Sequence, residues 1–475
     1  MILMKLEQIY TGCLAHGAYY IASNGEAAII DPLRETKPYL ERAAADGVKI
    51  TYIFETHFHA DFVSGHLDLA KATGAKIVYG PTAKPGFEAI TAEDGQLFRV
   101  GNVQLEVLHT PGHTMESTCY LLRDEAGTAT SIFTGDTLFI GDVGRPDLAQ
   151  HVISDLTQEK LASHLYDSLR TKILPLPDGL VVYPGHGAGS ACGKNMSNET
   201  TDTLGHQKAT NYALQPMDRE TFIAAVLDGL TPPPSYFPQN VLMNIKGYAS
   251  INDVLAQGTH KYDPQAFEDA VNEQGALVID TRKADDFAAG HIPNSVNVGI
   301  DGQFANWVGT LVLDIQQPLL LVTDPGREEE AVTRLARVGY DRALGTLAGG
   351  FPAWLRAGKE VDYVETVTAN ELEVLLKSNP TTPVLDVRRA SEYASQHLPN
   401  AVNAPLDYVN DSAKKVDPST TYYVHCAGGY RSMVFISVMK ARGFHHLVNV
   451  NGGMSAIKDQ TGLTLTDYVE PTTML

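Results

Sequence analysis

The chain has 475 residues, too many for one hydrophobic core, and at about 150 residues per domain it suggests about three domains. Its 44% hydrophobic and 19% charged residues describe an ordinary globular protein without a disorder signature. A formal net charge of −20 makes nucleic acid and anionic membrane surfaces poor partners. No apolar run approaches the roughly 18 residues of a membrane helix, and Lys5 and Glu7 interrupt the place where a signal peptide needs its apolar core, so a cytoplasmic location is expected. The four cysteines, Cys13, Cys119, Cys192 and Cys426, show no CxxC pairing and predict neither a disulfide framework nor a structural zinc site.

Residues 10 to 31 alternate short apolar runs with Gly17 and Asn24-Gly25 and read as hairpin strands. A helix follows from about Pro38 to Asp46, then a strand over Ile50–Phe54 that runs into THFHADF. There His57, His59 and Asp61 stand at alternate positions, which converge where a strand gives way to a tight loop, and imidazole with carboxylate suits iron or zinc. His66 opens a helical stretch ending near Gly74 and reads as a helix-face residue rather than a ligand; Ile77-Val78-Tyr79 is the next strand. Three further strands run into glycine-containing turns that end on ligand residue types: His113 in HTPGHT, Asp136 in FTGDT and His186 in YPGHG. Between them lie FIGDVGRPD, with Arg145 and Asp147, and an amphipathic helix marked by Leu161, Leu165 and Leu169. The segment GAGSACGKN brings Cys192 close behind His186, and the proline cluster TPPPSYFPQN opens a linker over residues 231 to 260, expected to pack on the surface.

The four strand–turn–ligand units, in this order, resemble the metallo-β-lactamase fold over residues 1–230, which implies an αββα sandwich. The family motif HxHxDH ends here in Phe62, so a two-zinc hydrolytic centre of the glyoxalase II kind loses a ligand. His57, His113 and Asp136 remain as a set for one metal, and two histidines with one carboxylate are the facial arrangement of non-haem ferrous oxygenases. This resembles the persulfide dioxygenases, the iron branch of the fold. The resemblance implies one Fe²⁺ per chain, with His59, Asp61 and His186 orienting ligands or bound water. Arg145 reads either as part of a salt-bridged turn or as a fork for a carboxylate of the thiol carrier. Cys192 reads either as a small buried residue or as a persulfide-carrying thiol. Phe62 as a packing substitution in a binuclear zinc enzyme stays open.

The remainder repeats itself. DTRKADDFAAGHIPNSVNV at 280–298 matches DVRRASEYASQHLPNAVNA at 386–404, and Gly349-Gly350 recurs as Gly452-Gly453. A strand ending in Asp-x-Arg, a helix and H-[IL]-P-x-[AS]-x-N resembles the rhodanese domain, which implies α/β copies over 261–362 and 363–475. In the second, a strand runs into Cys426-Ala427-Gly428-Gly429-Tyr430-Arg431-Ser432 and an apolar helix. Glycine N–H groups and a helix N-terminus favour an anion there, and with Arg431 alongside, Cys426 is expected to ionise and act as nucleophile. The substrate loop is expected to comprise Ala427, Gly428, Gly429 and Tyr430. In the first copy Asp324-Pro325-Gly326-Arg327 takes that place, followed by Glu328, Glu329 and Glu330, so that copy is expected to be silent and structural.

Together these resemblances imply oxidation of a low-molecular-weight thiol persulfide by dioxygen to thiol and sulfite, coupled to sulfur transfer involving thiosulfate, in sulfide oxidation or detoxification. A homo-oligomer is expected. Two alternatives remain: a zinc thioester hydrolase of the glyoxalase II type fused to a rhodanese, and a non-enzymatic sulfur carrier.

Overall fold

The computed structural model describes residues 4–148 and 156–470. The chain divides into two compact units, Met1–Asn252 with Ala336–Gly339, and Asp253–Leu335 with Tyr340–Leu475. In the first, strands β1 (Lys5–Thr11), β2 (His16–Ser23), β3 (Glu26–Ile30), β4 (Lys49–Phe54), β5 (Lys76–Tyr79) and β6 (Ile90–Thr91) form one sheet in chain order. Strands β7 (Leu97–Val100), β8 (Val103–His109), β9 (Thr118–Arg123), β10 (Ala129–Gly135), β11 (Val181–Pro184) and β12 (Asp202–Thr203) form the other. Asn24-Gly25 makes the tight β2–β3 connection with both residues at positive φ, as a two-residue hairpin requires.

The inward faces meet in a core of Tyr19, Ile21, Phe54 and Val78 from one sheet against Phe98, Leu105, Tyr120 and Phe133 from the other. Phe54 and Phe133 are fully buried and each contributes about 1.5–3 kcal/mol of hydrophobic stabilisation. Helices Lys37–Asp46 and His66–Thr73 contact the first sheet. On the second sheet's outer face, Leu165 and Leu169 pack with Ile132 and Val182, completing the αββα layering. His66 is fully buried at the start of its helix, with Nδ1 3.5 Å from a Glu55 oxygen.

The stretch expected to be a surface linker is different. After the prolines, helix Phe237–Lys246 begins with Pro238 in its first turn, where the missing N–H has no intrahelical partner to lose, and helix Ile251–Gly258 follows. Asn240 and Asn244 of the first of these helices are buried, and the helix belongs to the first unit.

The second unit holds two parallel five-stranded sheets. One has the order β13-β17-β16-β14-β15, from β13 (Lys261–Tyr262), β14 (Leu277–Asp280), β15 (Val296–Asn297), β16 (Leu319–Val322) and β17 (Ala343–Leu347). The other repeats it as β18-β22-β21-β19-β20, from β18 (Thr366–Val367), β19 (Val384–Asp386), β20 (Ala401–Asn403), β21 (Tyr422–His425) and β22 (Leu447–Val450). The repeated residues hold each copy together: Asp280 pairs with Arg282 and Asp386 with Arg388, while the Asn297 and Asn403 amides donate to the carbonyls of those same four residues. Among the described residues no helix is long and apolar enough to cross a membrane.

Candidate active sites

The ligand residues of the first unit follow the ends of β4, β8, β10 and β11. Gly135, at φ +48°, lets two of these loops close, since a Cβ there would stand 2.6 Å from the Thr56 side chain. His57, His113 and Asp136 come together, buried, with their ligand atoms within 4.8 Å of one another. Asp136 Oδ2 lies 3.5 Å from His113 Nε2 and 3.9 Å from His57 Nε2.

Hydrogen bonds behind the rings decide which nitrogen faces inward. His113 Nδ1 lies 2.8 Å from the Arg145 carbonyl, which only accepts, so Nδ1 carries the hydrogen and Nε2 offers its lone pair. His57 Nδ1 lies 3.0 Å from Thr56 Oγ1, whose own proton goes to Asp31 Oδ2 at 2.8 Å, so the hydroxyl accepts from His57. Burial, then the neighbouring imidazoles, hold the His57 pKa well below its usual value and keep the ring neutral. His57 Nε2 and both Asp136 oxygens are buried without a hydrogen-bond partner. Such groups are costly to bury unless a cation meets them, and this donor set fits iron or zinc.

The other expected residues take distinct places. His59 turns to Asp31 Oδ1 (3.1 Å) and Glu55 Oε2 (3.4 Å); burial would lower its pKa, but these carboxylates outweigh it and hold it well above the ordinary value. His186 Nε2 sits 3.4 Å from Asp61 Oδ2 and 3.6 Å from Asp136 Oδ1. Cys192 completes a buried group with Asp61 and His186, and burial first, then the Asp61 and Asp136 carboxylates, push its thiol well above the usual range, so it is a neutral thiol rather than a ready thiolate. Phe62 is fully buried, its ring 4.3 Å from the His16 ring and 4.3 Å from the His59 ring.

Arg145 does not present a fork to a carrier carboxylate. Its guanidinium binds Asp147 through Nε (2.7 Å) and Nη2 (2.6 Å) and reaches the carbonyls of Ala191 and Thr231, while its own N–H donates to the Cys192 carbonyl at 3.0 Å. The salt-bridged turn is the arrangement found, and its work is to set the carbonyl that holds His113. Asp31, Glu55 and Thr56 were not singled out from the sequence. A carboxylate at the end of a strand and a threonine before the first histidine carry no pattern of their own, although Asp31, at φ +50°, holds a conformation costly for a non-glycine residue.

In the second rhodanese-like copy Cys426 is buried at the end of β21, and the Gly429 N–H lies 3.1 Å from its sulfur. Gly429, at φ +104°, caps helix Tyr430–Ala441, whose N-terminus follows directly. Around Gly428 a Cβ would meet nothing within 4 Å, which leaves the mouth of the loop open. Gly453 is required for another reason: at φ +55° it passes so close that a Cβ would stand 2.4 Å from the Cys426 carbonyl. Arg431 is close enough for its charge and the Cys426 sulfur to interact, and its guanidinium is also held by both Glu392 oxygens at 2.6 and 2.8 Å. The Gly429 N–H is the donor found on the sulfur itself, with the helix terminus behind it. The Tyr430 hydroxyl is bound to the Gly299 carbonyl.

In the first copy Thr323 follows β16 where Cys426 follows β21 in the second, and Asp324, expected in that loop, stands exposed one position further on. The acidic turn after it is partly neutralised: Glu328 lies 3.2 Å from Lys261, and Glu330 pairs with Arg327 and Arg334.

Residues 11–186 match the Metallo-beta-lactamase superfamily, and residues 263–357 and 368–460 match the Rhodanese-like domain. The chain is similar to a metallo-beta-lactamase of known structure from Staphylococcus aureus, at 32% identity and a TM-score of 0.63, covering 73% of this chain and 99% of the other. It is 33% identical over 189 residues to the hydroxyacylglutathione hydrolase of a Polaromonas species, covering 38% of this chain and 66% of that protein. It is 34% identical over 164 residues to the human mitochondrial persulfide dioxygenase, covering 34% of this chain and 59% of that protein. The chain spans about three fifths of the length of the curated relatives it matches. With the αββα sandwich, its metal-ready trio and the duplicated α/β copies in place, the chain belongs to the metallo-β-lactamase superfamily and carries two rhodanese-like domains.

Proposed function

We propose that this protein is a non-haem iron persulfide dioxygenase joined to a sulfurtransferase, oxidising a low-molecular-weight thiol persulfide and passing sulfur through Cys426. Phe62 carries the proposal: a buried aromatic ring fills the position of a second-site ligand, while His57, His113 and Asp136 keep a complete set with free lone pairs. Similarity to the human persulfide dioxygenase supports the same chemistry. A ferrous ion held by these three residues supplies the redox chemistry that dioxygen requires. The chain's own residues fix the ligands: Thr56 and the Arg145 carbonyl set the two imidazole tautomers, and Asp61 with His186 lines the side facing the second Asp136 oxygen.

The overall conversion is persulfide, dioxygen and water to thiol and sulfite. A second persulfide passes its outer sulfur to the Cys426 thiolate, its own sulfur–sulfur bond breaking to release thiol. Sulfite then attacks that outer sulfur; the new sulfur–sulfur bond breaks, thiosulfate leaves, and Cys426 departs as a thiolate met by the Gly429 N–H and the helix N-terminus.

A second reading is a two-metal thioester hydrolase. Asp61, His186 and Cys192 offer a second buried ligand group, and the similarity to hydroxyacylglutathione hydrolases points the same way. One persulfide fed under oxygen to the parent, His113→Ala and Cys426→Ser proteins separates the two. The parent is expected to consume oxygen and yield thiosulfate. His113→Ala is expected to lose oxygen uptake yet keep sulfur transfer from thiosulfate, and Cys426→Ser to release sulfite instead of thiosulfate. Thioester hydrolysis with no oxygen uptake by the parent supports the hydrolase.

A further inference from the structure

Tyr430 is the first residue of its helix, next to the Gly429 whose N–H meets the Cys426 sulfur, yet its side chain belongs to the first rhodanese-like copy. Its hydroxyl donates to the Gly299 carbonyl at 2.9 Å. A Cβ on Gly302 would stand 2.6 Å from a ring carbon, and one on Gly299 would stand 3.1 Å away. Neither glycine has a φ in the left-handed region, so the backbone does not demand glycine at either position; the tyrosine ring does.

The loop that seats the ring is held from behind by the first copy's own cations. Arg334 donates to the Ile300 carbonyl at 2.5 Å, and Arg327 reaches the Asp301 carboxylate at 2.5 Å. Arg327 closes the Asp324–Arg327 turn, the counterpart of the cysteine loop. Two more ties run along the same helix: Ser437 Oγ accepts the N–H of Asn297 on edge strand β15 at 2.9 Å, and Lys440 donates to Asp362 at 3.0 Å.

We propose that the first copy is a positioning element for the second. Gly299 and Gly302 seat Tyr430, and this seat holds the helix N-terminus and the Gly429 N–H on the Cys426 sulfur. The turn that carries no nucleophile serves as the brace. The cysteine loop contains two consecutive glycines, one with open space around it and one at φ +104°, so its own backbone restrains it weakly. Donors stabilise a sulfur anion only while aimed at it, and a tyrosine anchored at both ring and hydroxyl fixes that aim with two side-chain torsions. The proposal rests on Cys426 as the sulfur-bearing nucleophile.

The test uses the full-length protein with reduced cysteines and reads two quantities: thiosulfate–cyanide turnover, and the rate of Cys426 alkylation by iodoacetamide across pH, followed by peptide mass spectrometry. The titratable groups beside the loop, Arg431 with Glu392 and Asp407 and the buried His425 with Asp386, are left unchanged. Gly302→Val displaces the ring and is expected to lower turnover about tenfold or more. It is also expected to move the alkylation profile about one pH unit upward, a tenfold loss of thiolate. Tyr430→Phe keeps the ring, loses only the hydroxyl bond and is expected to cost a few-fold in both. Adding Tyr430→Ala to Gly302→Val is expected to cost little more, since the seat is already lost. A folded Gly302→Val protein with the parent's turnover and alkylation profile overturns the proposal. If Gly302→Val does not fold, Tyr430→Phe and Gly299→Ala decide it, and parental alkylation profiles in both overturn it. A parent without turnover whose alkylation profile still shifts in the variants refutes the transferase reading and leaves the seat standing.

Discussion

The side-chain amide of Asn244 donates to the Phe62 carbonyl at 2.8 Å, and the same amide donates to the His59 carbonyl at 2.8 Å while its oxygen accepts the Ser64 N–H at 3.0 Å. One buried residue from a helix beyond the proline cluster thus satisfies three backbone groups of the loop that carries His57, His59 and Asp61. Asn244→Ala leaves those groups buried and unpaired, at about 2–4 kcal/mol together. The first unit is expected to unfold at lower denaturant and to surrender its metal to a chelator sooner. Parental behaviour in both measurements contradicts this role.

Asn244 also marks where the sequence stopped being legible. The ligand residues lay at the ends of runs with clear strand patterning, and the repeat around Asp280 and Asp386 gave two copies by simple alignment of the chain with itself. Those features are local. The contacts of Asn244 with Phe62, and of Tyr430 with Gly302, join residues 182 and 128 positions apart by number, and no periodicity encodes them. Arg145 and Arg431 were legible as cations near the sites but not as paired ones, because their partners Asp147 and Glu392 are fixed by three-dimensional closure. The prolines at 232–234 hid a helix because they end before it starts, and Pro238 sits where a helix tolerates it.

Phe62→His restores a ligand type beside Asp61 and His186. Metal analysis after anaerobic purification is expected to rise from one metal per chain in the parent toward two in the variant. A parent that already holds two tightly bound metals argues against the single-metal site and for the group containing Cys192.

Thr56→Val removes the hydroxyl that accepts from His57 Nδ1 and donates to Asp31. Loss of such an orienting contact is expected to weaken metal affinity about 10–100-fold. Thr56→Ser, which keeps the hydroxyl, is expected to recover most of it. Equal affinity of Thr56→Val and parent in a chelator titration refutes the assignment of the His57 tautomer.

His291 stacks on Phe287 with ring centroids 3.8 Å apart, and burial lowers its pKa to about 4. The unfolded imidazole takes up its proton near pH 6.5, the folded one only near 4, so the unfolded state binds more protons throughout that window. The contribution is therefore present above about pH 6.5 and is lost as the pH falls toward about 4. His291→Phe is expected to flatten the acid side of the second unit's stability curve, measured by denaturant titration at several pH values. An unchanged slope contradicts the shift.

The most direct measurement reconstitutes metal-free protein with ferrous iron or with zinc and follows oxygen in an electrode cell after glutathione persulfide is added. The account predicts that, with a single iron per chain, about one oxygen is consumed per sulfite formed, falling to about one per two persulfides where that sulfite goes on to thiosulfate, and that no uptake occurs with zinc. Two zincs per chain, thioester hydrolysis and no oxygen uptake in the iron-loaded protein would contradict it.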